Sequence, residues 1–308
     1  FTNGTNGSVR PDIVLYTDNP DFNSVDYWVN LAGQRRWEKL TLALGQAYQS
    51  GAGGYTEALN RVERSVYLTT AKVLYSLTDK TSFEVNGLQN VSDYEGNDQG
   101  LSSYNQWEGQ TWMNYQATAK VNAGLGGTFG WRDVQNTDNQ TYQQALVRGI
   151  YTLTEKTRFN AAVGMEFQQY QSGGGRGPTL VFDVGGTYQP WDRTMFNLSA
   201  FRRSQNSVVT SGENYTTTGF RASVRQQVWR KVFLSLTGGY EESAYYSAGS
   251  TISDNRQDNY YYFGPAVDYS ITDRWFLGVF YRYRNNGSTV KSYDFDNNQV
   301  GLRTMFRF

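Results

Sequence analysis

Six carboxylates and a larger group of cations fall on the polar side of stretches whose other side is apolar. They are Glu84, Glu108, Glu166, Asp183, Glu241 and Asp268, set against Lys72, Arg132, Arg148, Arg221, Arg225, Arg274, Arg282, Arg284, Arg303 and Arg307. Two carboxylates at a suitable separation are enough for glycoside hydrolysis. The competing reading is that these acids pair with the neighbouring cations to neutralise sequestered charge, and this is the reading the pattern favours. Other reaction classes drop out by composition. With no His there is no Ser-His or His-metal constellation, and with no Cys neither a thiolate site nor a disulfide frame. The glycine-rich "GLGGTFG" and "GGGRGP" do not open helices, so they do not read as phosphate loops. "TISDNRQDN" offers Asp254 and Asp258 as calcium ligands, but an acidic loop in water looks the same. The expectation is a protein without metal, cofactor or enzymatic activity, and a formal net charge of zero gives no pointer to nucleic acid.

These residues must be positioned by strands. No run of about 20 apolar residues exists, so transmembrane helices are excluded. A transmembrane β-strand needs apolar residues only at alternate positions, which a chain with 38% hydrophobic residues supplies. Aromatics at 16%, 32 Gly and only 5 Pro make a β composition. Six stretches repeat one plan of strand, tight polar turn and strand: "VLYSLTDKTSFEVNG", "MNYQATAKVNAGLGG", "GIYTLTEKTRFNAAVG", "GGTYQPWDRTMFNLSAF", "SVRQQVWRKVFLSLTGGY" and "VDYSITDRWFLGVFYRY". "NLAGQRRWEKLTLALG" is a looser seventh. The turns lie near residues 37, 79, 118, 155, 192, 230 and 273, and Gly/Ser/Asn/Asp-rich loops separate the repeats.

Seven turns join fourteen strands, the C-terminal stretch adds one, and "RPDIVLYTD" supplies the first. The expected fold is therefore all-β: a transmembrane antiparallel up-and-down barrel of about 16 strands, with both termini periplasmic. Residues 1–308 read as one domain, with 1–9 as a flexible lead. The opening "FTNGTNGSVRPD", with neither an initiator Met nor an apolar signal core, is expected to be a mature start left by removal of a targeting segment. Trp275, Leu277, Val279 and Tyr281 alternate with Phe276, Gly278, Phe280 and Arg282, and Val121, Ala123, Leu125 and Phe129 with Asn122, Gly124, Gly126 and Thr128. An Arg or Lys facing mid-bilayer lipid costs about 2–4 kcal/mol, so the charged side is assigned to the lumen. Arg202 falls on the lipid register, far from its turn, where the cost is small. Tyr75, Tyr115, Tyr151, Tyr188, Trp229 and Tyr269 before the turns, with Phe83, Phe159, Phe196, Phe233 and Trp275 after them, read as an interfacial girdle. A soluble β-sandwich would also alternate, but with shorter strands and its apolar face inside.

The chain closes on "NNQVGLRTMFRF", where Phe306 and Phe308 resemble the terminal signal read by the barrel-assembly machinery. "RQDNYYYFGPAVDYSITDRWFLGVFYRYRNNGS" with that ending resembles the putative β-barrel porin 2 family, the EpsL-like proteins found with exopolysaccharide gene clusters. The family's recurring positions correspond to Arg256, Asp258, Tyr260 to Tyr262, Asp273, Arg274, Tyr281 to Arg284 and Phe308; "VLYTDNPDF" is similar to its opening, with "YTDN" in place of "YDDN". The resemblance implies the outer membrane of a Gram-negative cell and a role in exopolysaccharide export. Expected partners are outer-membrane lipid and lipopolysaccharide, the barrel-assembly machinery, the polysaccharide and periplasmic export proteins. Lumen arginines favour anions, and Trp112, Tyr260, Tyr262, Phe276 and Phe280 offer faces for sugar rings. The same side chains equally suit a cross-lumen network that stiffens the wall. No loop is long enough to be an evident plug. A general diffusion porin for small anions and an anchor with a blocked lumen are the alternatives to an export conduit.

Overall fold

The computed structural model describes residues 3–15, 23–53, 62–95, 101–135, 138–207, 213–247 and 256–308. It contains β1 (Gly4–Leu15), β2 (Ser24–Arg36), β3 (Leu40–Gly53), β4 (Val62–Ser76), β5 (Thr81–Glu95), β6 (Tyr104–Gln116), β7 (Val121–Val134) and β8 (Gln140–Thr154). The chain continues through β9 (Thr157–Tyr170), β10 (Gly175–Trp191), β11 (Thr194–Asn206), β12 (Glu213–Trp229), β13 (Val232–Ser247), β14 (Gln257–Ser270), β15 (Trp275–Ser288) and β16 (Phe295–Arg307). Each strand pairs antiparallel with its sequence neighbours, and β1 pairs with β16, closing a barrel. Strands of 12 to 17 residues exceed the 9–11 or so needed to cross a bilayer at a tilt, so their ends extend beyond the hydrocarbon.

All seven expected turns fall where the repeat puts them. A threonine side chain shapes several. Thr78 Oγ1 accepts from the Lys80 and Thr81 amides (3.2 and 2.9 Å), Thr118 Oγ1 from Lys120 and Val121 (3.2 and 3.0 Å), and Thr272 Oγ1 from Arg274 and Trp275 (3.3 and 3.0 Å). A hydroxyl that satisfies two turn amides allows a compact reversal without glycine, which is why "LTDK", "ATAK" and "ITDR" recur.

Burial is inverted relative to a soluble fold. Leu125 is 67% exposed and Leu198 61%, whereas Asp12 is 1% and Glu166 2% exposed. Apolar side chains without cover on the outside and acids within are what a lipid-facing cylinder requires, so the sandwich alternative fails. The girdle residues before the turns are all exposed, as are Phe83, Phe159, Phe196 and Trp275. Phe233 departs from the expected girdle. It keeps the inward alternation of Ser235 and Thr237, pairs with Gln227 and Asp268, and its ring meets Phe276 edge-on at 6.4 Å, while a register shift between Gln227 and Trp229 lets Trp229 face out.

The amino end also differs from expectation. Instead of a flexible lead over residues 1–9, Gly4 to Val9 already pair with Gln34 to Val29 of β2. The alternation is faint there because "GTNGS" carries no large side chain, and its outer surface is covered from elsewhere. Gly7 and Phe308 exchange both backbone hydrogen bonds (2.9 and 3.0 Å), and the Phe308 ring occupies the place where a Cβ on Gly7 would stand. Phe308 thus locks the seam. Both ends of the barrel chain meet at the tight-turn end.

Candidate functional site: the lumen

Paired residues on antiparallel neighbours point to the same side, so one inward residue fixes the register of the whole wall. The lumen side chains accordingly stand in rows. In one row Glu84, Trp112, Gly126 and Leu146 are successive partners on β5 to β8, and in the adjacent row Asn114, Gly124 and Arg148. Arg148 lies over Gly124, bonds Asn114 Oδ1 (2.7 and 3.0 Å), and reaches Glu84 with both terminal nitrogens (2.9 and 3.3 Å). Its guanidinium sits 4.3 Å from the Trp112 ring, and Lys72 approaches Glu84 at 3.1 Å.

Across the seam, Asp268, Gly278, Arg303 and Asp12 form another row on β14, β15, β16 and β1. Arg303 spans Gly278 to grip both oxygens of Asp268 (2.8 and 2.6 Å), and a Cβ at residue 278 would collide with Asp268 Oδ1. This is the use of wall glycines that "GLGGTFG" hints at: they let a long neighbour lie flat. Arg10 pairs with Asp12 (3.2 Å) and Arg221 with Glu241 (2.8 Å). Glu108 accepts from the Tyr142 hydroxyl (2.5 Å), and Glu166 from Gln144 and Gln168 (2.6 and 2.8 Å). Five of the six candidate carboxylates are therefore occupied as acceptors, the arrangement of structural pairs. Asp183, the sixth, shares the inward register with Ala162 and Phe201.

Of the expected lumen set, Lys72, Arg132, Arg148, Arg221, Arg225, Asp268, Arg282, Arg284 and Arg303 stand on the inward register, as do Trp112, Tyr260, Tyr262, Phe276 and Phe280. Arg225 covers the Phe233 ring at 4.8 Å, and Arg307 covers Phe276 at 4.7 Å close to the turn end. Arg274 does not line the wall. It belongs to the turn before Trp275, is exposed, and offers its carbonyl to the Arg307 amide (2.9 Å). Inward residues without a sequence-based assignment include Arg10, Asp12, Asp26, Arg64 and Arg203; the alternation of Arg10, Asp12 and Val14 with Val9, Pro11 and Ile13 carries that signal for the first strand. Asp258 is held by Arg256 at 2.6 and 3.0 Å, and Asp254 lies outside the described residues. No acidic cluster suited to a metal occurs among the described residues.

At the end away from the tight turns the wall folds inward. Arg202, Ser204 and Asn206 of β11 continue the outward register of Leu198, and Asn214 and Thr216 of β12 continue that of Phe220. Yet Asn214 is 0% exposed, and Ser204 and Thr216 are buried. Their partners are inward residues of strands several places away. Arg132 of β7 bonds Asn206 Oδ1 (2.6 Å) and the Ser204 carbonyl (3.4 Å). Asn214 accepts from Gln140 (3.2 Å) and donates to the Tyr170 hydroxyl (2.7 Å). Arg176 bonds Thr216 (3.2 Å) and stacks on Tyr246 (3.6 Å), whose hydroxyl donates to Gln168 (3.0 Å). The opposite face of the same strand ends is buried too, with Tyr215 and Tyr245 stacked 4.9 Å apart. Strands buried on both faces lie inside the cylinder, so the ends of β11 to β13 form an internal flap against β7 to β10. Arg202 remains outside, bonded to Thr218 (2.7 Å).

Polar groups occupy both registers of "RRSQN", "ENYTTT" and "EESAYYS", and that double polarity is the sequence signal for the flap. Beside it, Arg256 is sandwiched between the rings of Tyr293 (3.4 Å) and Tyr245 (4.2 Å), pinning the Lys291–Tyr293 turn to the flap. In "YRYR" the tyrosines face out, Tyr281 to Asn298 (2.5 Å) and Tyr283 to Asp296 (3.0 Å), while Arg282 and Arg284 face in.

Residues 186–308 match the family model described as "Putative beta-barrel porin 2". The resemblance read from the C-terminal strands is borne out over that stretch, which runs from late β10 to the end of the chain. The chain has the fold of an outer-membrane β-barrel porin or channel. No curated protein matches it. Among solved structures it is similar to the "CymD monoaromatic hydrocarbon channel" (12% identity over 100% of this chain and 88% of that one, TM-score 0.49). It is also similar to a "Bacterial polysaccharide outer membrane secretin" (13%, 100% and 99%, 0.45) and to OmpT of Vibrio cholerae (12%, 100% and 97%, 0.46).

Proposed function

We propose that this outer-membrane barrel is a passive conduit for an exopolysaccharide, with its tight turns and both termini on the periplasmic side. The observation that carries the reading is a recess of about 560 Å³ in the lumen wall, where guanidinium groups and aromatic rings of β12 to β16 stand together. Rings give a sugar polymer flat surfaces to slide along, and arginines give acidic units a counter-charge. The EpsL-like character of the C-terminal sequence supports the same reading. Synthesis and periplasmic export proteins would deliver the polymer, and the barrel itself does no chemistry. On the opposite wall the small residues Ala32, Ala43 and Gly45 leave a second recess of about 800 Å³ beside Lys72 and Glu108, which keeps the turn-side lumen wide.

The internal flap favours a second reading, an anchor whose lumen is closed. Single-channel recording in planar bilayers separates the two. A conduit gives discrete current steps, and a closed anchor gives none at any voltage.

A further inference from the structure

We propose that the recess in the β12–β16 wall is a binding subsite for one carboxylated pyranose unit, the anionic residue of an acidic polysaccharide; this rests on the conduit reading above. Its floor is made of short side chains, Thr237, Gly264 and Ala266, flanked by longer ones in every direction. The rim carries Arg221, Arg282 and Arg284, with the rings of Tyr262 and Phe280 beside them. At about 560 Å³ the recess falls within the roughly 300–1,000 Å³ of small-ligand sites.

The lining holds five arginines, Arg10, Arg221, Arg282, Arg284 and Arg303; Asp12 pairs with Arg10 at 3.2 Å and, with Asp26, acts electrostatically on Arg282. Among the described residues, Glu241 is the one carboxylate of the lining, and Arg221 holds it at 2.8 and 3.2 Å. Arg303, at the turn-side edge, is committed to Asp268. Arg282 bonds a neutral group, the Gln299 amide at 3.4 Å, and rests 5.2 Å from the Phe280 ring. A guanidinium fork binds a carboxylate through two parallel hydrogen bonds. A pyranose has an apolar C–H face that a phenol or phenyl ring can cover. A ligand carrying both features is a uronic acid rather than a simple anion or a neutral sugar. Binding at a single recess is weak, so the polymer is retained and released unit by unit.

The test uses the whole chain, refolded or purified in detergent, in planar bilayers at low salt, with hexuronate oligosaccharides as the probe. Neutral glucose oligosaccharides of the same length and inorganic sulfate are the controls. The subsite predicts that hexuronates interrupt the current at concentrations about tenfold lower than either control. Arg282→Gln with Arg284→Gln should raise the half-blocking concentration about tenfold, with heat-modifiable gel mobility showing that the barrel is still folded. Arg282→Lys, which keeps charge and loses the fork, should fall between. Equal block by hexuronate and neutral sugar, or by sulfate, or no change in the double variant, overturns the subsite and leaves the conduit standing. Absence of current steps would instead overturn the conduit. Calorimetric titration of the detergent-solubilised barrel with the same oligosaccharides then decides the subsite on its own, since hexuronate binding lost in the double variant supports it and no binding refutes it.

Discussion

Releasing the internal flap should change the current through the barrel in a calculable way. Arg132 ties the flap directly, donating to Asn206 Oδ1 at 2.6 Å and to the Ser204 carbonyl at 3.4 Å from a position buried on β7. A charged hydrogen bond of good geometry is worth about 1.5–3 kcal/mol, and the longer contact adds little. Arg132→Met keeps the aliphatic stem and removes both donors, so it weakens the folded-in state by about 2 kcal/mol. At about 1.4 kcal/mol per decade, excursions of the flap away from β7 become roughly thirtyfold more frequent. Gln140, Gln168, Tyr170 and Arg176 still hold other points of the flap, so it loosens rather than detaches. The assay is single-channel recording, scored as the frequency of transitions to a higher conductance level. A variant with intact heat-modifiable mobility and an unchanged frequency of that level would refute the flap as a movable restriction.

The wall supplies three more tests. Gly278→Leu drives a side chain into the space through which Arg303 reaches Asp268, so it should lower the temperature at which the folded band disappears on gels by an amount equivalent to about 1–3 kcal/mol; an unchanged transition would mean that the pair contributes nothing. Leu125→Arg places a charge on the lipid-facing surface and should cost about 2–4 kcal/mol in denaturant unfolding from vesicles, whereas Asn86→Arg, on the lumen register, should cost far less; the reverse ranking would invert the two faces. Deleting Phe308 removes the ring over Gly7 and the last two backbone bonds of the seam, so the yield of closed barrel in vesicles should drop, and an undiminished yield would show that the seam closes without it.

The cylinder was legible because a period of two, seven polar turns and an apolar last strand all constrain the same arrangement. Once the strands are fixed, antiparallel pairing carries each inward residue to its row. What escaped were features that alternation does not encode. The shift after Gln227 turns Trp229 out while Phe233 stays on the inward register, and the four-residue turn removes Arg274 from the wall. At the start of β1 the outer surface over Gly7 is supplied by Phe308 from the far end of the chain, so "GTNGS" shows little grease. The pairing of Arg148 with Glu84 or Arg132 with Asn206 joins residues 64 and 74 positions apart, and depends on curvature that no strand reveals alone. The flap did leave a trace, the polar residues on both registers of Arg203–Asn206 and Asn214–Thr217, where a lipid-exposed strand would carry apolar residues on one.

The most direct test of an arginine-lined conduit is the reversal potential of the reconstituted barrel under a salt gradient. The account predicts discrete current steps with anion preference, moved toward neutrality by Arg282→Gln with Arg284→Gln. A folded barrel that gives cation preference, or the same preference with both arginines neutralised, would contradict it.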